Sequence, residues 1–331
     1  MNSFGRIFRV QVFGESHGEC VGVVIDGCPA GLALPPEDFL HDMERRKGGT
    51  QKGATPRQEE DIPFLKTGVF NGKTTGFPIM IYIENKNTRS GDYEKIRSIP
   101  RPSHADFVAH KKFGGFEDYR GGGHFSARLT TGLVAAGVIA KKLLKDISIE
   151  AKIIEVGGER TVEAGLQKAI DAKDSVGGII ECRVNGLPVG LGEPHFDSVE
   201  SLIAHAMFSI PAIKGVEFGS GFGAAKMFGS EHNDSIGNME GTTKTNHAGG
   251  IVGGITNGNE LVFRVAVKPT ASTPKEQESL NWETGEVEKF SVKGRHDLCV
   301  ALRAPVIVEA YTAFVLTDLM MLEGRIARIF S

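Results

Sequence analysis

Short apolar runs bounded by glycine and proline dominate the hydrophobic pattern of this chain, and they predict a sheet-rich fold. The predicted strands cover residues 8–13, 21–25, 77–83, 151–156, 178–184 and 261–267. Two glycine-dense apolar segments, 216–225 and 248–258, are expected to be strands or turns packed against another backbone or a ligand. The 43 glycines and 14 prolines are spread between the apolar runs, which indicates many tight turns.

A second set of segments has apolar residues at spacings of three and four, which predicts amphipathic helices. These helices cover residues 37–46, 129–143, 161–172, 198–208 and 305–325. The segments 47–63 and 85–101 are polar and aperiodic; the first is long enough to predict a functional loop. No break in composition marks a domain boundary, so the pattern predicts one α+β domain over residues 1–331.

One turn occurs twice. The sequence GCPAGL at 27–32 resembles GLPVGL at 186–191, and each copy follows a predicted strand and precedes a predicted helix. This similarity predicts an internal pseudo-repeat, with about 20–46 equivalent to 178–208 and a pseudo-twofold relation between them. Chance similarity between two Gly/Pro turns is the alternative.

Charge and cysteine content narrow the class of protein. Lys and Arg total 38 against 41 Asp and Glu, a net charge of −3, which argues against nucleic-acid or anionic-membrane binding. The four cysteines form no C-x-x-C pair, which favours reduced thiols and a cytoplasmic protein. The first 12 residues contain charge and lack a long apolar core, so neither a secretory signal nor a membrane span is expected.

Three consecutive glycines, Gly121, Gly122 and Gly123, form what we call the glycine cradle. A backbone without Cβ atoms can adopt positive φ and approach a ligand closely. Ser126 and Arg128 follow where the predicted helix begins, so the stretch suits anion binding. A flexible surface loop is the alternative interpretation.

Two histidines are candidates for proton transfer. His17 lies between small residues at a predicted strand end, and His104 has a nearby acid, Asp106, that could orient it. With His110 these residues make a loose H-x-D-x3-H pattern. Zinc sites usually need three or four protein ligands, so we expect no metal site here.

Further charged residues lie on other predicted loops. Arg295, His296 and Asp297 follow a glycine in succession, and Arg45, Arg46 and Lys52 surround the loop at 47–63. Guanidinium groups, histidines and a glycine cradle on separate loops suit a phosphorylated, carboxylated small substrate and proton-coupled chemistry.

Eight separated motifs occur in an order that resembles one family. They are FGESHG at 13–18, RR at 45–46, RSGDY at 89–93, RPSHAD at 101–106, YRGGGHFSAR at 119–128, NHAGG at 246–250, KPTAS at 268–272 and GRHDLC at 294–299. From end to end the chain resembles the chorismate synthases. The resemblance implies an internally duplicated β-α fold, with helices packed between antiparallel sheets, and a homotetramer.

The resemblance also implies a reaction. The family eliminates phosphate from 5-enolpyruvylshikimate 3-phosphate in a 1,4-anti elimination that gives chorismate, within the shikimate pathway of aromatic amino-acid biosynthesis. Reduced FMN is required although there is no net redox change: the flavin lends electron density, and its N5 takes up the C6 hydrogen. Whether NADPH or an external reductase reduces the flavin stays open.

Residue roles follow by matching motifs. The resemblance assigns proton donation to the phosphate to His17, a proton near flavin N1 to His104, and deprotonation near N5 to Asp297. It assigns FMN contacts to His124, Phe125, Ser126, Pro211, Ala212, Gly253, Lys268, Pro269, Thr270, Ala271, Ser272 and Arg295. It assigns substrate or NADP binding to Arg46, Lys52, Arg101, Ser126, Arg128 and Arg295.

The chain departs from the family pattern at several positions. Lys52 and His124 stand where Arg is common, which leaves their roles open. Other departures are Ser103 for Gly, Ala271 for Ser and Leu298 for Pro.

Two other classes of protein compete with a lyase. A P-loop NTPase would need G-x4-G-K-[ST], which the chain lacks. A non-catalytic binding protein would be expected to lose a catalytic histidine, yet His17, His104 and Asp297 are all present.

Overall fold

The computed structural model describes residues 2–47, 53, 59–87, 97–292 and 297–329. Within those ranges the strands are β1 (Ser3–Phe4), β2 (Arg9–Gly14), β3 (Cys20–Asp26), β4 (Phe64–Leu65), β5 (Val69–Phe70), β6 (Lys73–Thr74), β7 (Ile79–Glu84), β8 (Ser148–Val156), β9 (Gly178–Asn185), β10 (Ile213–Phe218), β11 (Ile251–Val252), β12 (Ile255–Thr256), β13 (Leu261–Val267), β14 (Gln277–Leu280) and β15 (Val287–Phe290). The helices are α1 (Leu40–Arg46), α2 (Asp106–Phe113), α3 (Thr130–Leu143), α4 (Val162–Ala172), α5 (Val199–Ser209), α6 (Gly229–His232) and α7 (Pro305–Leu322).

Two antiparallel sheets contain the predicted strands. The first has the order β1-β2-β3-β7-β4, and the second has the order β10-β13-β9-β8. The alternation of apolar residues buries Ile79, Ile81 and Ile83 on one face of β7. The glycine-dense segments form the end of β10 with a following 3₁₀ turn, and the β11-β12 hairpin. The strand predictions are therefore confirmed, with β8 beginning three residues earlier than expected.

Helices α3 and α7 lie between the two sheets. Helix α3 packs on β3, α7 packs on β8, and the two helices pack on each other. A Cβ on Gly137 would lie 2.3 Å from the Cβ of Ala310, so α3 and α7 approach through a position without a side chain. This arrangement confirms the α+β fold with helices between antiparallel sheets.

The length and composition of α7 would suit a membrane span, but 83% of this helix is buried inside the protein, as expected for a core helix. It ends at Leu322, three residues before the predicted end, and Gly324 follows with φ of 66°.

Matching contacts occur in the two halves of the chain. The Thr74 hydroxyl donates to the Pro29 carbonyl (2.6 Å) and accepts from the Leu32 amide (2.9 Å). The Thr256 hydroxyl donates to the Pro188 carbonyl (2.7 Å) and accepts from the Leu191 amide (2.9 Å). These equivalent contacts around the two similar turns support the proposal of an internal pseudo-repeat. One hydrophobic cluster runs through both halves, which supports the proposal of a single domain.

Several elements lack a hydrophobic signal in the sequence. Helix α2 carries charges around its circumference, and the β14-β15 hairpin is half-exposed on both strands. Neither has an apolar face with a helical or strand period, so contacts with the rest of the chain stabilise them.

A buried carboxylate joins α7 to its neighbours. Glu309 is 2% exposed and accepts two hydrogen bonds of 2.7 Å from the Arg45 guanidinium. It also accepts from Lys141 Nζ (2.8 Å) and from the Ala151 amide (3.0 Å). Burial alone would raise the pKa of Glu309, but the hydrogen bonds from Arg45 and the charge of Lys141 outweigh it and lower the pKa.

Glu309→Ala is expected to lower the free energy of unfolding by about 3 kcal/mol, because it removes the buried carboxylate between Arg45 and Lys141 and leaves Asp42 as the carboxylate that both still contact. Denaturant unfolding of the variant and the parent protein at neutral pH measures this difference in the free energy of unfolding. The exposed Glu150, paired with Lys152, provides a control, and Glu150→Ala should cost at most about 1 kcal/mol.

Because the folded-state pKa of Glu309 is lowered, the stabilisation from Glu309 is complete above the unfolded pKa of about 4.3 and is lost as pH falls through the folded value. Equal effects of the two substitutions would contradict this account.

Candidate active site

The glycine cradle packs beside β2, and two histidines lie against adjacent glycines in it. Its three residues have φ of 60°, 81° and 53°, as the sequence predicted. A Cβ on Gly121 would lie 2.2 Å from His17 Nδ1, and a Cβ on Gly122 would lie 3.2 Å from His104 Cε1. The imidazole rings therefore lie directly against adjacent glycines, in space that only glycine leaves open.

His17 lies in the loop that follows β2 and is only 8% exposed. The amide of Asn85 fixes that loop by donating to the carbonyls of Glu15 (3.0 Å) and Gly18 (2.9 Å). The Oδ1 atom of Asn85 accepts from Arg128 Nε (2.9 Å). Asn85 therefore sets the position of the His17 loop relative to Arg128.

His104 belongs to a compact charged cluster that lies against Gly122, the next glycine of the cradle. Its Nδ1 lies 2.6 Å from Asp106 Oδ1, which favours the tautomer with the proton on Nδ1 and directs Nε2 toward Gly122. Asp106 also accepts from Arg101 Nε (2.7 Å) and Nη2 (2.8 Å). Burial would raise the pKa of Asp106, but the hydrogen bonds from Arg101 and His104 hold it well below its usual range.

Next to the cradle, Arg46 and Arg128 are both buried and share one carboxylate, Asp61. Arg46 Nη1 lies 3.2 Å from Asp61 Oδ2, and Arg128 Nη1 donates to Asp61 Oδ1. Burial and the nearby Arg303 lower the pKa of Arg46 to about 9, which leaves it charged at neutral pH. Arg303 donates to the Arg46 carbonyl (3.0 Å) and lies 3.4 Å from Asp297 Oδ2, so Asp297 reaches this cluster through Arg303.

A cleft opens on one side of the cradle, with about 870 Å³ of empty space including its open mouth. His124, Ser126 and Pro211 line it, together with Tyr311 and His205. His124 Nδ1 donates to the Gly14 carbonyl (2.8 Å), which leaves Nε2 as an acceptor. The residues assigned to FMN binding line two different clefts. Phe125 does not line this cleft but a second one, with His104 and Trp282.

The Lys268 to Ser272 stretch reaches the site from the second sheet. The Lys268 amide donates to the Ala212 carbonyl (2.9 Å), which joins this stretch to the Pro211 wall of the cleft. Ser272 Oγ accepts from Arg101 Nη1 (3.1 Å), and this bond links it to the His104 cluster. Burial, with a contribution from the Lys214 charge, lowers the pKa of Lys268.

Four other positions were assigned to the cofactor: Pro269, Thr270 and Ala271 belong to the same stretch, and Gly253 lies apart from it. Thr270 accepts a hydrogen bond from Ser175 on its carbonyl (2.7 Å), Pro269 is exposed, and Ala271 is half-buried. Gly253 lies in the turn between β11 and β12, a hairpin that packs on the start of α5. Its Cβ position faces open space.

Comparison with known proteins decides the family. A sequence model described as chorismate synthase matches residues 8–321. The chorismate synthase of Chitinophaga pinensis is 70% identical over 331 residues, which is 100% of this chain and 99% of that protein. This chain belongs to the chorismate synthase family. The chorismate synthase of Korarchaeum cryptofilum is 45% identical over 97% of this chain and 98% of its own length. A crystal structure of chorismate synthase has a TM-score of 0.74 and 28% identity, over 97% of this chain and 93% of that one.

Some positions that the chorismate synthase motifs single out lie outside the described residues. Lys52, Arg295 and the RSGDY motif at 89–93 are among them. Ser103, where the family often has glycine, has φ of 58°, a conformation that favours glycine.

The H-x-D-x3-H histidines have separate partners in this member of the chorismate synthase family. His104 pairs with Asp106, whereas His110 lies 3.3 Å from Glu117 and stacks on Trp282. In the part of the chain that the structure describes, no three His, Cys, Asp or Glu side chains are grouped to hold a metal ion.

The sequence patterns did not predict three residues of the site. Asp61 follows two other acids in a polar loop, Asn85 follows β7, and Arg303 precedes α7. Asp61 and Asn85 lie in or next to segments without periodicity, where the local sequence does not distinguish a site residue from other polar residues. Only long-range contacts distinguish these residues, so no local signal could have found them.

Proposed function

We propose that this chain is a chorismate synthase that eliminates phosphate from 5-enolpyruvylshikimate 3-phosphate to give chorismate in the shikimate pathway. One observation carries the assignment of the site: His17 and His104 lie against adjacent glycines of one cradle, beside the buried cations Arg46 and Arg128. Family membership supplies the substrate and the product.

The chemical difficulty is a 1,4-anti elimination in which phosphate leaves from the ring face opposite an unactivated C–H bond. His17 protonates the departing phosphate, which makes it a better leaving group. Arg46, Arg101 and Arg128 hold the phosphate and carboxylate groups, for which planar guanidinium forks are well suited.

The other two proposed catalytic residues act on protons elsewhere. The Asp106 carboxylate holds His104 Nδ1, so Nε2 is the atom that holds or donates a proton at the cradle. Asp297 would assist deprotonation near the flavin N5 position, with Arg303 beside it to stabilise the carboxylate.

Reduced FMN is the cofactor in this proposal, and the residues present fit it. The cleft beside the cradle is within the size range of small-molecule sites, and Ser126 and Pro211 line it. Ser126, Pro211 and the Lys268 to Ser272 stretch would hold the flavin. When bound, it would supply electron density to the substrate and accept the C6 hydrogen. NADPH or an external reductase would keep it reduced.

The cellular form is also a proposal. All four cysteines are free, which supports a reducing, cytoplasmic setting. Phe196, Phe222 and Phe228 are more than three-quarters exposed, which supports burial in a homotetramer. Light scattering on purified protein should give four times the mass of the 35.6 kDa chain; a monomer would contradict the proposed assembly.

Anaerobic turnover tests the proposed function. Protein incubated with reduced FMN and 5-enolpyruvylshikimate 3-phosphate should produce chorismate absorbance and inorganic phosphate, and oxidised FMN should give neither. Folded protein that binds FMN but produces no chorismate would contradict the proposal.

A further inference from the structure

Among the described residues, Asp61 is the one carboxylate that contacts both buried guanidiniums, and the family motifs assign it no role. Its side chain is 2% exposed, and those of Arg46 and Arg128 are 4% and 5% exposed. Two guanidiniums this close repel each other in a low-dielectric interior unless a shared anion lies between them.

The contacts around Asp61 fix both arginines in orientation. Arg46 Nη2 donates to the Ala127 carbonyl (2.9 Å), and its Nε faces Thr130 Oγ1 (3.4 Å). Arg128 donates to Asn85 Oδ1 (2.9 Å) and to the Glu84 carbonyl (3.2 Å). Including Asp61, three of the five N–H groups of each guanidinium have partners among the described residues, and we expect the other two on each to face the anion.

Among the described residues, the charges around the arginines sum to a positive value after this pairing. Arg46, Arg128 and Arg303 provide three positive charges, and Asp61 and Asp297 provide two negative charges. Asp61 also has φ of 51°, an uncommon conformation for a residue other than glycine. Such backbone strain persists where the surroundings hold a side chain in a required position.

We propose that Asp61 is a positioning residue: it holds Arg46 and Arg128 side by side and stays paired with them while their remaining N–H groups bind the substrate's anionic group. This inference rests on the proposed function. In the rival arrangement, Asp61 would occupy the anion site itself and be displaced by the substrate.

Asp61→Asn separates the two arrangements because it keeps the side-chain shape and removes the charge. A positioning role predicts a KM for 5-enolpyruvylshikimate 3-phosphate about 10- to 100-fold higher, with kcat changed less than about fivefold. Asp61→Glu keeps the charge and should recover part of the loss. Asp197, which pairs with Arg6 on the surface, gives the control Asp197→Asn, with KM unchanged.

A binding measurement gives a readout other than turnover. Calorimetry with inorganic phosphate and with substrate, on protein without flavin, should show weaker binding by the Asn variant than by the parent. Equal or tighter binding would overturn the inference and favour the displaced-anion arrangement.

If the Asn variant does not fold, Asp61→Glu tests the same point, because its extra methylene shifts both guanidiniums. A KM equal to that of the parent protein would then overturn the inference. Absence of turnover in the parent protein would instead count against the proposed function, and the phosphate titration would still test the role of Asp61.

Discussion

Gly121→Ala is expected to lower kcat by at least about 100-fold while leaving the protein folded. The new Cβ would lie 2.2 Å from His17 Nδ1 and 2.3 Å from its Cε1, so the ring must move away from the cradle. A displacement of about 1 Å from productive geometry costs on the order of 10²-fold in rate. Steady-state turnover, with thermal unfolding of the same samples, measures the effect.

Gly72→Ala is the matched control for the backbone strain of that substitution. Gly72 has φ of 71°, close to the 60° of Gly121, but its Cβ position has no atom within 4 Å. Both variants therefore carry the cost of a left-handed alanine, about 1–2 kcal/mol, and only one displaces His17. Equal activities of the two variants would show that the contact between the cradle and His17 does not matter for turnover.

His17→Ala is expected to slow phosphate elimination by roughly 10²- to 10⁴-fold, the usual range for a positioned acid or base. The substitution removes the proposed proton donor but leaves the arginines that bind the substrate, so KM should change much less than kcat. Single-turnover release of phosphate under anaerobic conditions measures the chemical step directly.

A surface histidine provides the control for this prediction. The His41 side chain is 80% exposed on α1, and His41→Ala should leave the rate unchanged. A His17→Ala enzyme as fast as this control would remove His17 from the mechanism. If KM rose and kcat stayed the same, His17 would be a binding residue and not the proton donor.

Much of the fold could be predicted from the sequence because its core elements carry strong periodic signals. The runs at 21–25 and 178–184 are β-branched and glycine-bounded, and they form β3 and β9 near the centres of their sheets. The spacing from Leu129 to Leu143 predicted α3, whose apolar residues are buried between the sheets. Elements without such a face, such as α2 and the β14-β15 hairpin, depend on tertiary contacts and could not be predicted.

The candidate site was predicted unevenly for the same physical reason. The cradle and the two histidines have local sequence signals, namely three glycines in a row and histidines that lie between small residues. Their meeting at adjacent glycines could not be predicted, because the histidines are 87 positions apart in the sequence. Asp61 and Asn85 have no local signal at all, although they hold Arg128 from two sides.

The structure also changes the interpretation of the glycine cradle. From the sequence it was a candidate for binding an anion through its backbone amides. In the fold its Cβ-free side is occupied by His17 and His104, so its first role is to let two imidazoles approach one place.

The most direct test of the central claim is the stoichiometry of anaerobic turnover with substrate in excess over reduced FMN. The proposed mechanism predicts one phosphate released per chorismate, many turnovers per flavin, and a flavin spectrum that is still that of reduced FMN at the end. One flavin oxidised per chorismate, or phosphate release without chorismate, would contradict it.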